Sequence, residues 1–338
     1  MHKPIKTSTF KSFLVVTLLS LSTWFSNTVV QAQETSAIWI DTDPSVETGG
    51  REVDDGFALI QAFNSPELDI RGISTVFGNA PLKKVHGIAL EITELFGPPG
   101  LEVFSGAANA NELGIETAAS RALANILRTQ RLTVLALGPV TNIATVLRNH
   151  PELGKNINAI VAVAGRRPGQ QFLTRADGLP HRDFNFELDV NSFQILLESA
   201  IASEVPLILT PWEISSKVWI TKADIEHFQQ SSPAGEWLYQ PAMDWIERWE
   251  KRYGKSAFNP YDSLAVGYVT SRKLLTCEEL KGSIQILPND RLAFASTESA
   301  KKPYLIASKE GDSLPQVLYC FKPSGAFTDD LIQRLLKR

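Results

Sequence analysis

Four carboxylates lie close together in the N-terminal part of the chain, and their spacing is the strongest chemical signal in the sequence. Asp41-Thr42-Asp43-Pro44 is followed, after a loop, by Asp54-Asp55-Gly56. Crowded carboxylates raise one another's pKa, and a bound cation removes that cost. Hard oxygen ligands of this kind suit Ca²⁺ or Mg²⁺. The alternative interpretation is that Asp54 and Asp55 only cap a helix.

Two later segments carry further polar groups. Asp262, in Asn259-Pro260-Tyr261-Asp262, precedes an apolar helix predicted over Leu264 to Val269. It either returns to the metal from a distant strand end or serves as a simple N-cap. The segment from Asp177 to Asp189 is dense in carboxylate and amide groups. Such groups recognise sugar hydroxyls because they accept and donate hydrogen bonds in pairs, although a solvated loop is the alternative.

Aromatic and basic side chains supply candidates for binding a flat ligand. Trp245 and Trp249 lie one helical turn apart before Asp262, and they either stack on a planar ligand or belong to the core. His181 and Arg182 are candidate acids for a leaving group or candidate phosphate contacts.

The elements that position these residues alternate between strand and helix. A buried strand over Ala37 to Ile40 ends in Asp41, and a helix over Asp54 to Phe63 begins with acids in its first turn. Alternation of this kind predicts an α/β fold with a mainly parallel sheet and helices on both faces. Sites in such sheets lie at the carboxyl ends of the strands. We expect a single domain, with a helical cap from about Ile220 to Tyr253.

Composition narrows the classes of function. The chain has 338 residues, 43% hydrophobic and 21% charged, with a formal charge of −4. These values exclude fibrous and largely disordered proteins, and they give no global bias toward nucleic acid or an anionic membrane. Cys277 and Cys320 can form at most one disulfide, and they exclude a zinc site built on cysteine clusters.

Residues 1–32 have the pattern of a secretory signal peptide. A basic start is followed by the apolar run Phe13 to Leu21 and by the small-residue site Val30-Gln31-Ala32. An uncleaved anchor is the alternative, but the apolar run is short for a bilayer span of about 20 residues. We therefore expect a mature catalytic domain over residues 33–338 that is secreted or periplasmic, with no membrane contact after cleavage.

Five motifs in order resemble the inosine–uridine-preferring nucleoside hydrolase family. The resemblance runs from Ile38 to about Val269 and identifies the chain as a divergent, secreted member with a longer first metal loop. The motifs are Asp41-Thr42-Asp43-Pro44 with Asp54-Asp55-Gly56, Gly78-Asn79, Leu137-Gly138-Pro139-Val140-Thr141-Asn142, Asp183-Phe184-Asn185 with Asp189, and Tyr261-Asp262-Ser263-Leu264-Ala265-Val266.

The resemblance implies a Ca²⁺ site at the strand ends of a Rossmann-like sheet. Its ligands would be Asp43, Asp55, Asp262 and the main-chain carbonyl of Leu137, with Asp43 also the general base that activates a metal-bound water. The ribose would be held by Asp54, Asn79, Asp183 and Asn185. The implied reaction is hydrolysis of the N-glycosidic bond of ribonucleosides to ribose and free base. A homo-oligomer is also implied.

Three departures from the family pattern affect these expectations. Residues 44–53 replace a much shorter family loop, and we interpret them as a flexible flap over or beside the metal. Tyr261 replaces a histidine that often protonates the leaving purine, and a phenol with a pKa of about 10 is a weaker acid. Asp177 stands in place of an asparagine near the ribose 5′-hydroxyl, and Asp183 in place of a longer glutamate.

Two other functions compete with hydrolysis. A non-catalytic ribose- or nucleoside-binding protein of the same fold is compatible with the missing histidine. A metal-dependent phosphatase is suggested by Ile40-Asp41-Thr42-Asp43 after a strand, but the acidic pair of such phosphatases comes much later in the chain than Asp54-Asp55.

Overall fold

The structure is a computed structural model, and it describes residues 1–2, 35–173, 178–291 and 299–337. The predicted signal peptide, apart from its first two residues, lies outside these ranges. Asp177 also lies outside them, so its expected contact with the ribose stays a prediction. Residues 34–338 form one compact unit.

The described residues contain one large sheet and one small strand pair. In chain order the strands are β1 (Ser36–Thr42), β2 (Leu68–Thr75), β3 (Val103–Ser105), β4 (Leu132–Ala136), β5 (Ile157–Ala162), β6 (Leu207–Leu209), β7 (Ile220–Thr221), β8 (Ala257–Phe258), β9 (Leu275–Pro288), β10 (Lys301–Ser308) and β11 (Gln316–Pro323). The large sheet has the order β10-β9-β11-β6-β5-β4-β1-β2-β3, and β7 pairs with β8. The strands from β3 to β11 in this order are parallel, whereas β9 runs antiparallel to both of its neighbours.

Helices connect the strands and cover the sheet. They are α1 (Asp54–Phe63), α2 (Leu82–Phe96), α3 (Ala118–Leu127), α4 (Thr141–Asn149), α5 (Phe184–Leu188), α6 (Val190–Ala202), α7 (Trp212–Ser215), α8 (Lys222–Ser231), α9 (Pro233–Tyr253), α10 (Ser263–Thr270) and α11 (Phe327–Leu335). No helix of the described segments combines the length and the apolarity that crossing a bilayer requires.

The two faces of the sheet bury separate cores. On β1, Ile38 and Ile40 pack into one core with α1, α9 and α10, while Trp39 packs into the other with α3, α4 and α6. This alternation is the period-2 geometry of a strand that is covered on both sides. The predicted α/β fold with a mainly parallel sheet and helices on both faces is therefore confirmed.

The strand order places a crevice beside β1. From β1 the chain proceeds through β2 and β3 toward one edge, and it then returns to β4 on the other side of β1. The order reverses between β1 and β4, and ligands of open α/β sheets bind outside the carboxyl ends of the strands at such a point. Asp43 follows β1 and Leu137 follows β4, so both residues lie at this crevice.

The expected helical cap consists of α8 and α9. Thr221 and Asp224 form a capping box at the start of α8, and Ser232 caps α9, which has Pro233 in its first turn. Gly254, with φ of 66°, ends α9 in the left-handed conformation that glycine adopts most easily.

The C-terminal strands complete the sheet beyond β6. Cys277 on β9 and Cys320 on β11 are directly opposite each other and form a disulfide. Disulfides of this kind persist mainly in oxidising compartments.

Candidate active site

Asp43 lies in a cradle formed by two glycines. Gly78 follows β2 and Gly138 follows β4, and these two strands flank β1. A Cβ added at Gly78 would lie 1.9 Å from Asp43 Oδ2, and one added at Gly138 would lie 2.6 Å from Asp43 Oδ1. Any side chain at these positions would therefore displace the carboxylate. The Asn79 backbone N–H donates to Asp43 Oδ2 at 2.7 Å and holds it in place.

Asp55 lies at the centre of the polar contacts. Its Oδ1 accepts hydrogen bonds from the Thr42 hydroxyl and from the Asp43 backbone N–H, the latter at 3.1 Å. Its Oδ2 accepts from Asn79 Nδ2 at 3.2 Å, and its carboxyl group also shares a hydrogen bond with Asp262.

Asp54 reaches the start of α10, while one of its carboxylate oxygens stays within 4.8 Å of an oxygen of Asp55. The backbone N–H groups of Tyr261 and Asp262 hydrogen-bond to its carboxylate. Consecutive residues of a helix diverge by about 100°, which explains how neighbouring acids reach different partners.

These acids stand at helix starts and also approach one another. Asp262 stands at the N-cap position of α10 but makes no side-chain capping hydrogen bond. The N-cap of α1 is Val53, and Asp54 and Asp55 lie in the first turn of that helix. Asp43, Asp54, Asp55 and Asp262, here called the acid cluster, converge on one another.

Burial and mutual repulsion make the acid cluster unfavourable without a counter-charge. Burial raises the pKa of Asp43, Asp54 and Asp262 well above the ordinary value, and neighbouring carboxylates of the cluster raise it further. Burial also raises the pKa of Asp55. A divalent cation would remove this penalty, and an all-oxygen donor set fits a hard cation. The acid cluster thus fits the implied metal.

The cluster extends to an acid that sequence reasoning did not single out. Glu52, Asp54 and Asp55 each offer an oxygen within 4.8 Å of the other two. The expected ligands Asp43, Asp55 and Asp262 also lie close together, because the charges of Asp43 and Asp55 both raise the pKa of Asp262. The Leu137 carbonyl, the fourth expected ligand, accepts a hydrogen bond of 2.6 Å from Asn185 Nδ2.

Asp41 supports the cluster from the sheet. It is buried on β1 and accepts hydrogen bonds from the Ser74 hydroxyl and, at 2.8 Å, from Asn142 Nδ2. Burial raises the pKa of Asp41 to about 7 despite these donors. Its contacts join β1 to β2 and α4, so we assign it to the support of the site.

A cavity of about 430 Å³ adjoins the acid cluster and collects most of the predicted residues. Its walls include Asp54, Asp262, Leu137, Asn79, Asp183, Asn185, Tyr261 and Trp249. Asp43 and Asp55 are buried beneath this wall. A volume of this size suits a small organic ligand.

Asp183 and Asn185, at the start of α5, also line the cavity. Asp183 precedes α5 and accepts a hydrogen bond of 2.9 Å from the Gly165 backbone N–H. Burial raises the pKa of Asp183 to about 6, although the charge of Arg166 opposes the shift. Asn185 donates to both Leu137 O and Val163 O, which fixes its amide.

Tyr261 lines the cavity but is poorly suited to proton donation. Burial, together with the charge of Asp54, raises its pKa well above 10. A phenol in this environment keeps its proton at neutral pH, so it donates a hydrogen bond more readily than it transfers a proton.

Five aromatic side chains form a second wall of the cavity, here called the aromatic wall: Phe172, Trp212, Trp245, Trp249 and Tyr253. Trp249 is only 1% exposed and makes edge contacts with Trp219, Trp245 and Tyr253. Trp245 is only partly buried. Trp249 therefore fits a core role with one edge at the cavity, and Trp245 is the better candidate for stacking. His181 lies in the same region, with its ring centroid 5.0 Å from that of Tyr253.

The inserted loop 44–53, interpreted from the sequence as a flexible flap, packs on α1 and α9 in the structure. Val46 is buried and would clash with any side chain at Gly56. The Gly49 backbone N–H donates to Asp244 Oδ2 at 2.7 Å, and Arg248 Nη1 donates to Gly50 O at 3.1 Å. Because both partners lie on α9, the loop ties the acid cluster to the helix that carries the aromatic wall.

Comparisons with known proteins agree with this geometry. The sequence model of the family described as inosine-uridine preferring nucleoside hydrolase matches residues 38–300. The pyrimidine-specific ribonucleoside hydrolase RihA of Klebsiella pneumoniae is 24% identical over 271 residues, covering 72% of this chain and 82% of that protein. The same-named protein of Salmonella paratyphi B is 25% identical over the same length and coverage.

Solved structures share the fold. A plant nucleoside hydrolase, PpNRh1, superposes with a TM-score of 0.74 at 20% identity, covering 90% of this chain and 99% of that one. A purine-preferring ribonucleoside hydrolase from Gardnerella vaginalis gives 0.71 at 19% identity, with 89% and 98% covered. Because the family match spans most of the chain, the phosphatase interpretation has no support, and the chain belongs to the inosine–uridine preferring nucleoside hydrolase family, whose reaction is N-glycosidic hydrolysis of ribonucleosides.

Proposed function

We propose that the protein is a Ca²⁺-dependent ribonucleoside hydrolase in which Asp43 is the general base. The observation that carries the proposal is the convergence of four buried carboxylates at the end of β1 and the starts of α1 and α10, two of which, Asp54 and Asp262, line the cavity. Buried acids with raised pKa values in a cleft are typical of a functional site. Calcium, when bound, would supply the positive charge that holds the sugar diol and acidifies water.

The chemistry assigns a role to each side of the cavity. Water attacks C1′, the bond from C1′ to the base nitrogen breaks, and Asp43 accepts the proton that the water loses. The sugar develops oxocarbenium character, which the surrounding carboxylates stabilise. Asp54, Asn79, Asp183 and Asn185 hold the ribose hydroxyls.

The departing base leaves as an anion that a hydrogen bond stabilises, and it then takes up a proton from solvent, to which Asp43 returns the proton that it accepted from water. Tyr261 is positioned at the cavity wall to donate that hydrogen bond, and the aromatic wall holds the ring. The raised pKa of Tyr261 favours a role in orientation over one as a strong acid.

A panel of purine and pyrimidine ribosides, each with and without Ca²⁺ and scored for free ribose, tests the proposal. We expect ribose release only with the cation. Release that is indifferent to Ca²⁺ would contradict the metal dependence, and tight nucleoside binding without product would support the non-catalytic alternative.

We also propose export of the chain with removal of residues 1–32. The support is the basic and apolar pattern of that segment together with the Cys277–Cys320 disulfide, which suits an oxidising compartment. Intact-mass measurement of the protein from its native host should give an N-terminus near Gln33. A retained leader would contradict cleavage. Assembly into a homo-oligomer stays a prediction.

A further inference from the structure

Glu52 belongs to the inserted loop, yet it reaches the sugar side of the cavity. Its carboxylate is only partly buried and lines the cavity beside Asp54 and Asn79. One oxygen, Oε1, accepts a hydrogen bond from the Asp54 backbone N–H at the start of α1, and Oε2 accepts from Asn79 Nδ2 at 2.9 Å. Glu52 therefore joins the start of α1 to the loop that follows β2.

The hydrogen bonds of Asn79 dictate the orientation of its side chain. Its Nδ2 faces two carboxylates, donating to Glu52 at 2.9 Å and to Asp55 at 3.2 Å. An ionised carboxylate can only accept a hydrogen bond, so the opposite amide orientation would place three acceptor oxygens against one another. The Asn79 backbone N–H is also used, since it donates to Asp43.

The donors of Asn79 are thus engaged, and its Oδ1 is the group left to act on a ligand. We propose that Glu52 is a positioning residue of the sugar site, which fixes the Asn79 carboxamide so that Oδ1 accepts a hydrogen bond from a pentose hydroxyl. This inference rests on the proposed function, because that function places a ribose in the cavity. Asn79 contacts Asp43 and Asp55, which are the proposed ligands of the cation that holds the sugar diol. The hydroxyl that Asn79 binds is therefore 2′ or 3′ rather than 5′.

The contacts of the inserted loop fix the backbone position from which the Glu52 side chain extends. Buried Val46 and two hydrogen bonds with α9, from the Gly49 N–H to Asp244 and from Arg248 to Gly50 O, hold the loop in place. A side chain held in this way loses little further conformational freedom when a ligand binds, which is the benefit of pre-organisation.

The test compares Glu52→Ala, Glu52→Gln and a control, Glu47→Ala. Glu47 lies on the same loop but pairs with Lys84 and Arg51 away from the cavity. Each variant is assayed for kcat and KM with uridine and inosine. Calorimetry with Ca²⁺ gives Kd for the 2′-, 3′- and 5′-deoxy analogues of both nucleosides, and Ca²⁺ affinity is measured alone. Thermal melts confirm that each variant folds.

We expect Glu52→Ala to raise KM about tenfold with kcat changed less than about threefold, the size of one ligand hydrogen bond. Glu52→Gln keeps one acceptor oxygen for two donors, the Asp54 N–H and Asn79 Nδ2, so its loss should be no larger than that of Glu52→Ala. The 5′-deoxy analogue should lose the same factor as the parent nucleoside. Either the 2′- or the 3′-deoxy analogue should lose less than about twofold, since it lacks the hydroxyl that Oδ1 accepts from. Glu47→Ala should match the parent protein.

Two results would overturn the inference: equal losses for all deoxy analogues, or a loss of Ca²⁺ affinity that accompanies either variant. The last would make Glu52 a metal ligand. Failure of the proposed function is distinct, because then the parent protein releases no ribose. The calorimetric Kd values would still measure the role of Glu52 in that case.

Discussion

The acid cluster and the aromatic wall line one cavity but are built in different ways. The acids lie at the ends of β1 and at the starts of α1 and α10, and their positions are held by backbone N–H groups and by the glycine cradle around Asp43. The aromatic side chains come from α9 and from the segments at Phe172 and Trp212, where they pack mainly against one another. In the proposed function, the sheet therefore dictates the position of the sugar site, whereas the wall proposed for the base depends on α9 and on the segments at Phe172 and Trp212.

The largest expected effect is at the acid cluster. Asp43→Ala removes the proposed base while Asp41 and the sheet remain, so kcat should fall by about 10²–10⁴ with the fold retained. Steady-state kinetics and circular dichroism measure the two quantities. The matched control is Asp312→Ala, because Asp312 is exposed and does not line the cavity. Retained turnover in Asp43→Ala would remove Asp43 as the base.

The two tryptophans of α9 separate packing from recognition. Trp249 is 1% exposed, so Trp249→Ala should cost about 3–5 kcal/mol in the free energy of unfolding. Trp245 is partly exposed, so Trp245→Ala should raise KM about tenfold through lost stacking on the base with little change in stability. Denaturant unfolding and KM measurements on both variants test this. Equal stability losses would mean that Trp245 is also a core residue.

Removal of the cation should destabilise the protein. A ligand present at a hundred times its Kd stabilises the folded state by about 2.7 kcal/mol, and EGTA should abolish this together with turnover. Thermal melts with EGTA, and again after Ca²⁺ is restored, measure the change. An unchanged melting temperature would argue against a bound cation in the folded protein.

The pH dependence of the cation-free protein follows from the same burial. The pKa of Asp41 is raised to about 7 and those of Asp183 and Asp189 to about 6, in each case chiefly by burial. The folded state therefore binds more protons than the unfolded state between about pH 4 and 7, and its stability should fall as pH rises through that window. Melting temperatures across this range with EGTA provide the test, and a rise toward pH 7 would contradict the argument.

The smallest effect is expected at Tyr261. Because the pKa of its phenol is raised well above 10, Tyr261→Phe should remove a hydrogen bond to the leaving base and lower kcat by less than about tenfold. Kinetics with inosine and uridine measure the change. A loss of a hundredfold or more would show that Tyr261 transfers a proton after all.

Local sequence patterns were sufficient for much of the fold. The helix predicted over 54–63 coincides with α1, and the strand predicted over 37–40 lies within β1, because buried apolar runs with clear boundaries specify both. Strands β9 to β11 were not predicted. β9 contains Glu278, Glu279 and Lys281, so its pattern lacks a clean apolar alternation, and its pairing depends on contacts with distant segments.

The candidate site shows the same division. The acid cluster could be predicted largely from the Asp-Thr-Asp-Pro and Asp-Asp motifs. In the structure, a hydrogen bond from the Asp43 backbone N–H to Asp55 joins the two motifs. The docking of the inserted loop could not, since Gly49 and its partner Asp244 are 195 residues apart. Glu52 was missed for a similar reason, although its position two residues before Asp54 was a signal that the loop delivers an acid to the cluster.

A crystal structure with Ca²⁺ and ribose tests the central claim most directly. The account predicts one Ca²⁺ at about 2.3–2.6 Å from carboxylate oxygens of Asp43, Asp55 and Asp262 and from the Leu137 carbonyl, with the sugar diol completing its coordination. An ion held instead by Glu52 and Asp54, or a ribose bound with no ion beside it, would contradict the account.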